Sequence, residues 1–276
     1  MQDAADRERH QALAEAPESW PSTRSALHGR LLAIASVPRA HAEPQPHWWH
    51  IGLRMVPTGL TTAPVALPSG EMLTLGADLA QHTVWWETIG GTRGGLPIGS
   101  GTATEFGDRL LAEMVGLGLA DNFDREKFAS DESIEYDPAA AGWLLDTLQA
   151  IHPVFERHRA TLEGQPGPIL LWSHHLDMSF EWFGSRMVEG EDGELAPAQL
   201  NLGYDPADQP YFYSNPWPFT DHLTDTPLPG HARWHTDGWQ GTELPTAPLV
   251  GDPQWADQVL EYAAAVHRIT RPSLIA

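Results

Sequence analysis

Apolar and polar residues alternate most clearly in two short runs, Met72 to Leu79 and Thr83 to Ile89. A period of two turns one face of a strand to a core and the other to water, so these runs predict an antiparallel meander. Pro68-Ser69-Gly70 supplies a turn ahead of them, and Leu60 to Leu67 an earlier short strand. Two further apolar runs, Leu27 to Val37 and His47 to Val56, also read as strands.

The period changes beyond a glycine-rich loop, Gly90 to Gly101. Thr102 and Glu105 have the spacing of a capping box, and Phe106, Leu110, Met114 and Leu117 then recur at helical intervals. Asp137-Pro138 reads as a cap with proline at the first helical position, ahead of a stripe through Trp143, Leu144, Leu148, Ile151 and Phe155. Pro153 is expected to kink or divide that helix. Strands return at Pro168 to Arg186, Gln199 to Tyr204, Tyr211 to Asn215, and His231 to Leu244, the last folding about Asp237-Gly238. Asp252-Pro253 caps a final helix carrying Trp255, Val259, Tyr262 and Val266. The order predicts an α+β fold: antiparallel sheets with two central helices and a C-terminal helix packed on them. Residues 1–17 form a polar N-terminal extension, and residues 18–276 read as a single domain, since no low-complexity linker divides them.

Composition narrows the chemistry. The chain has no cysteine, so disulfides, thiol nucleophiles and thiolate metal sites are excluded. Acidic residues number 37 against 16 basic ones, giving a net charge of −21, and Lys127 is the one lysine. Such a surface repels nucleic acid and anionic lipid, which makes a small molecule the expected partner. A homo-oligomer built on exposed tryptophans and the proline-rich 216–230 segment is the other option. The N-terminus lacks the apolar run of a signal peptide, and no run is long enough to span a bilayer, so the expected location is cytoplasmic.

The candidate site centres on Pro168 to Arg186. Read as one strand, it shows Leu170, Trp172, His174 and Leu176 on one face and Ser173, His175, Asp177 and Glu181 on the other. His175 and Asp177, roughly 6–7 Å apart along such a strand, suit two ligands of one divalent metal, or a base and its orienting carboxylate. They also suit, and more readily, a pair satisfied by neighbouring hydrogen bonds. A metal needs a further ligand, for which His28, His47, His50 and His82 are candidates. No HExxH spacing occurs, and the metal, like any other cofactor, stays unspecified.

His28 is a candidate general base, its imidazole titrating near pH ~6.5 when unperturbed, or else a loop anchor. Trp49, Trp172, Trp182, Tyr204 and Tyr213 are expected to wall an aromatic pocket. A serine hydrolase is a poor match because GxSxG is absent. The expected activity is acid–base or metal-assisted hydrolysis by His28, His175 and Asp177, with a non-catalytic small-ligand module as the alternative.

Several short patterns occur together in order. They are Trp20-Pro21-x-Thr23 with Leu27-His28, His47-Trp48-Trp49, Gly59-Leu60-Thr61-Thr62, and Leu170-x-Trp172-x-His174-His175-x-Asp177 with Ser185-Arg186. From about Trp20 to the last helix, the chain resembles the bacterial family known as domain of unknown function 5996. It departs from that family's pattern at Leu176, where relatives carry phenylalanine. It departs again at Leu202-Gly203-Tyr204, where they carry Ser-His-Glu. The resemblance implies a shared fold and carries no activity.

Overall fold

The computed structural model describes residues 12–164, 166–190 and 193–276. The fold is α+β, with four α-helices and two antiparallel sheets among the described residues. None of these helices is long and apolar enough to cross a membrane. The chain forms two compact units. One holds Ala16–Asp146 with Pro168–Ser179, and the other holds Thr147–Gly167 and Phe180–Ala276 together with residues 12–15.

The first unit opens with helix α1, Trp20–His41. This corrects the expected strand at Leu27 to Val37. The helix is enclosed almost all round: Leu27, Leu31, Ile34 and Val37 are inaccessible, and Ala33 and Ala35 are buried with them. A helix apolar on every side loses the one-sided stripe that distinguishes it from a buried strand. Gly29 allows close approach to the next helix, because a Cβ there would lie 2.6 Å from Cβ of Ala103.

The meander follows as β1 (Arg54–Val56), β2 (Gly59–Thr61), β3 (Val65–Ala66), β4 (Met72–Asp78), β5 (Thr83–Thr88) and β6 (Arg93–Pro97). The sheet order is β1-β2-β4-β5-β6, with β3 also on β4. Strand β6 lies within the stretch expected to be a glycine-rich loop, and its edge pairing with β5 brings Gly94 and Gly95 opposite Trp86 and Trp85. The second expected strand is also cut back, since residues 46–48 form a short 3-10 turn and β1 begins only at Arg54.

Helix α2, Ala103–Gly116, starts where Thr102 accepts a hydrogen bond from the Glu105 amide, as its spacing predicts. Helix α3, Pro138–Arg159, remains one helix through Pro153. Leu148, Ile151 and Phe155 stay buried on both sides of the proline, so packing holds the two halves in one stripe.

The second unit contains most of β8 (Asp177–Glu189), then β9 (Leu195–Asp205), β10 (Tyr211–Ser214), β11 (Pro216–Trp217), β12 (Arg233–His235) and β13 (Gly241–Pro245). These follow the order β12-β13-β10-β9-β8, with β11 on β9. Helix α4, Trp255–Leu274, covers β9, β10 and β13, and its Tyr262 hydroxyl lies 2.7 Å from the hydroxyl of Thr242. The N-cap residue is Gln254 rather than the expected Asp252, which lies just ahead of it and accepts from the Gln254 amide at 2.8 Å and the Gln258 side chain at 2.7 Å. The remaining strand, β7 (Leu170–Trp172), belongs to the first unit and pairs there with the opening residues of β8.

Candidate functional site

The expected single strand from Pro168 to Arg186 is a hairpin. Its last pair is Trp172 with Asp177, and Ser173 to Leu176 form the turn. The Trp172 carbonyl accepts from the amides of His175 at 3.3 Å and Leu176 at 2.8 Å. Leu176 takes a φ of 61°, in the left-handed region that a leucine seldom adopts. This turn corrects the alternation expected of the segment. His175 stands exposed at the tip, while Asp177 is buried at its base with 5% accessibility. The two therefore do not project from one strand face. Among the described residues no three His, Asp or Glu side chains are placed to hold a metal ion. His82, one of the expected third ligands, instead has Nδ1 2.9 Å from the Tyr136 hydroxyl.

A helix supplies what the hairpin lacks. Arg24 and His28 are four residues apart on α1 and so share a face. His28 Nε2 is 3.1 Å from the carbonyl of His174, and Arg24 donates to the carbonyl of His175 at 3.0 Å. A carbonyl only accepts, so the His28 proton sits on Nε2 and the Nδ1 lone pair is left for other chemistry. The His174 ring lies 4.6 Å from that of His175 and 5.9 Å from that of Trp172. The Trp172 indole N–H donates to the Ser179 hydroxyl at 3.0 Å.

A third segment, Pro46 to His50, completes the cluster. His47 and Trp48 both have left-handed backbone, with φ of 55° and 60°, and Trp48 is 58% exposed. The Trp48 ring carries the Arg39 guanidinium 5.5 Å above it and stacks on His50. Trp49 points the other way, onto the apolar group of Ile51, Leu170 and Trp172. Three elements thus bring imidazoles, a guanidinium and indoles to one place.

The local environment favours the neutral form of His28, His47, His50 and His174. Burial lowers His28, and the charge of Arg24 adds to this against the opposing hydrogen bond to the His174 carbonyl. His174, although exposed at the tip, is lowered to about 4, through desolvation by its neighbours first and then through His175, Arg39 and His28. Burial lowers His47 and His50 as well, with Arg39 contributing at His50. At neutral pH the lowered imidazoles can accept or donate a proton.

The other expected residues lie in the second unit. Tyr204 is a core residue, 1% exposed, packed on Phe212, with its phenol pushed up by burial. Tyr213 lies flat across Gly203, where a Cβ would come within 2.2 Å of its ring, and joins Tyr211 and Trp239. Trp182 donates to the Glu163 carbonyl at 2.8 Å and meets the His267 ring edge-on at 4.8 Å.

Trp182 lines a cavity of about 10 Å3 with His158, His267, Asn201 and Ser214, space on the scale of a single water. His267 Nε2 is buried there without a hydrogen-bond partner among the described residues. Burial lowers His158 to about 4, with His267 adding to the shift.

Sequence reasoning singled out His28, His47, His50, His175, Trp49 and Trp172 and missed Arg24, Arg39, His158 and His267. The i, i+4 spacing of Arg24 and His28 would have found the pairing, had the segment been read as a helix.

No curated protein and no solved structure matches the chain. The model of one family, described as a family of unknown function, DUF5996, matches residues 15–268. That span takes in α1, both sheets and nearly all of α4, and so every residue of the cluster around the hairpin tip. The chain is therefore a member of the family of unknown function DUF5996.

Proposed function

We propose that the cluster at the 173–176 turn is a small-molecule site that works by imidazole acid–base chemistry. One observation carries this reading: the His28 proton is committed to the His174 carbonyl, which directs an uncharged Nδ1 lone pair elsewhere. A base must be unprotonated at the working pH, and burial gives His28 that state. His174, also neutral and beside it, is the partner for proton exchange. His175 and Asp177 take supporting places in this scheme, one exposed at the tip and the other fixed beneath it. Trp172 and Trp49 form the apolar backing. Ester or phosphoester hydrolysis is the reaction class that such a base serves most directly, by drawing a proton from water.

Hydrolysis of p-nitrophenyl acetate and p-nitrophenyl phosphate by the full chain tests this. The expected result is a rate that rises with pH through a midpoint below 6.5 and falls about 100-fold or more in His28→Gln. Equal rates in the variant and the parent would defeat the catalytic reading. The alternative is a binding site without chemistry, which the solvent-facing Trp48 favours. On that alternative, Trp48→Ala weakens ligand binding while His28→Gln does not.

A further inference from the structure

The cluster contains a charge that the acid–base reading leaves unused. Arg39 stands near the end of α1, half-buried, with its guanidinium over Trp48. It acts electrostatically on both His174 and His50, so its charge is felt on both sides of the cluster. No carboxylate among the described residues pairs with it. Its charge is therefore not neutralised by an ion pair within the cluster. Neutral imidazoles beside it can add hydrogen bonds without adding a competing negative charge.

Resting on the reading of this cluster as a small-molecule site, we propose that its ligand carries an oxyanion, a carboxylate or a phosphate monoester, and that Arg39 binds it. The guanidinium presents a planar fork of donors matched to such groups, and the ring of Trp48 flanks it. The overall charge of −21 slows an anion's approach, so the local positive charge must be what selects it. Arg39 is a binding residue in this assignment. The proton chemistry stays with His28.

The test follows the ring signals of His28 and His174 by 15N–1H correlation NMR while the full chain is titrated with benzoate, phenyl phosphate or benzyl alcohol. Saturable shifts are expected with at least one of the two anions and none with the alcohol. Arg39→Gln should weaken the anion's affinity about tenfold or more, and Arg39→Lys less. Benzyl alcohol binding as well as the anions, or Arg39→Gln titrating like the parent, would overturn the anion assignment and leave the imidazole site standing. No shift of either ring with any probe would overturn both. The comparison of probes on the parent chain needs no variant, so it decides even if Arg39→Gln folds poorly.

Discussion

The Nε2 of His28 and the carbonyl oxygen of His174 lie 3.1 Å apart, across 146 residues of sequence. That bond and its neighbour from Arg24 fasten the hairpin tip to α1, and the first also fixes which His28 nitrogen carries the proton. Side-chain NMR at pH 7 should show the Nε2–H tautomer and a midpoint below 6.5. His28→Ala should cost about 0.5–1.5 kcal/mol, the worth of one hydrogen bond, in denaturant unfolding. Finding the proton on Nδ1 would remove the base assigned above.

Leu176 is inaccessible to solvent and sits at a φ of 61°. Its side chain stabilises the hairpin by burial while its backbone opposes the conformation. Leu176→Ala should therefore cost about 2–5 kcal/mol, the usual range for truncating a buried leucine. Leu176→Gly should cost less than Leu176→Ala, the reverse of the ordinary order, because glycine accepts the left-handed backbone without strain. Chemical denaturation of the two variants side by side settles the order.

Arg30 is 2% exposed, yet it holds no carboxylate. Its guanidinium donates to the carbonyls of Ala26, Gly99 and Gly101 and lies 5.7 Å from the Phe106 ring. Removing it takes the donor from two part-buried loop carbonyls, at about 1–3 kcal/mol in all. A single ammonium cannot replace the fork in which Nη2 serves Gly99 and Gly101 while Nη1 serves Ala26, so Arg30→Lys should also destabilise, and hydrogen exchange should quicken around residues 99–101. Unchanged exchange there would show that the loop stands without its anchor.

His158 makes the chain sensitive to acid. Its folded value, about 4, lies below the unfolded value of 6.5, so folding disfavours the charged ring. The stability it contributes is complete above pH 6.5 and is lost as pH falls from there towards 4. The loss is on the order of 3 kcal/mol by linkage. The neighbouring groups are His267, on α4, and beyond it Arg271 and Glu163, which bind each other at 2.9 Å. His158→Gln should flatten the acid limb of a plot of Tm against pH between 6.5 and 4. An unchanged slope would place the acid sensitivity elsewhere.

The elements that could be read directly were those with local signals. The β4–β5 meander shows its period of two, Thr102 its capping side chain, and Asp237-Gly238 the turn between β12 and β13. Helix α1 lacked such a signal because Ala33, Ala35 and Val37 are buried alongside Leu31 and Ile34, which erases the polar face. The turn at Ser173 to Leu176 was invisible for a related reason. It contains no glycine, proline or asparagine, and it places a leucine where a turn-forming residue is expected.

Reading straight through that turn put His175 and Asp177 on a common face. Trp182, Tyr204 and Tyr213 looked like companions of Trp172 because strand alternation says nothing about which compact unit a residue joins. His28 and His175 were singled out by residue type, whereas the same straight reading set His174 on the apolar face, and the turn instead leaves it exposed beside His175.

His47 and Trp48 hold two successive left-handed conformations, each disfavoured by about 1–3 kcal/mol for an ordinary residue. The surrounding fold imposes that posture, so the Trp48 indole is set in its outward pose before any visitor arrives. A molecule settling against it need not immobilise the ring first, and its affinity is spared that entropy loss. Replacing His47 by a residue that relaxes the segment into the right-handed region would release the indole, and weak binding would then come from a wandering ring rather than from a missing contact.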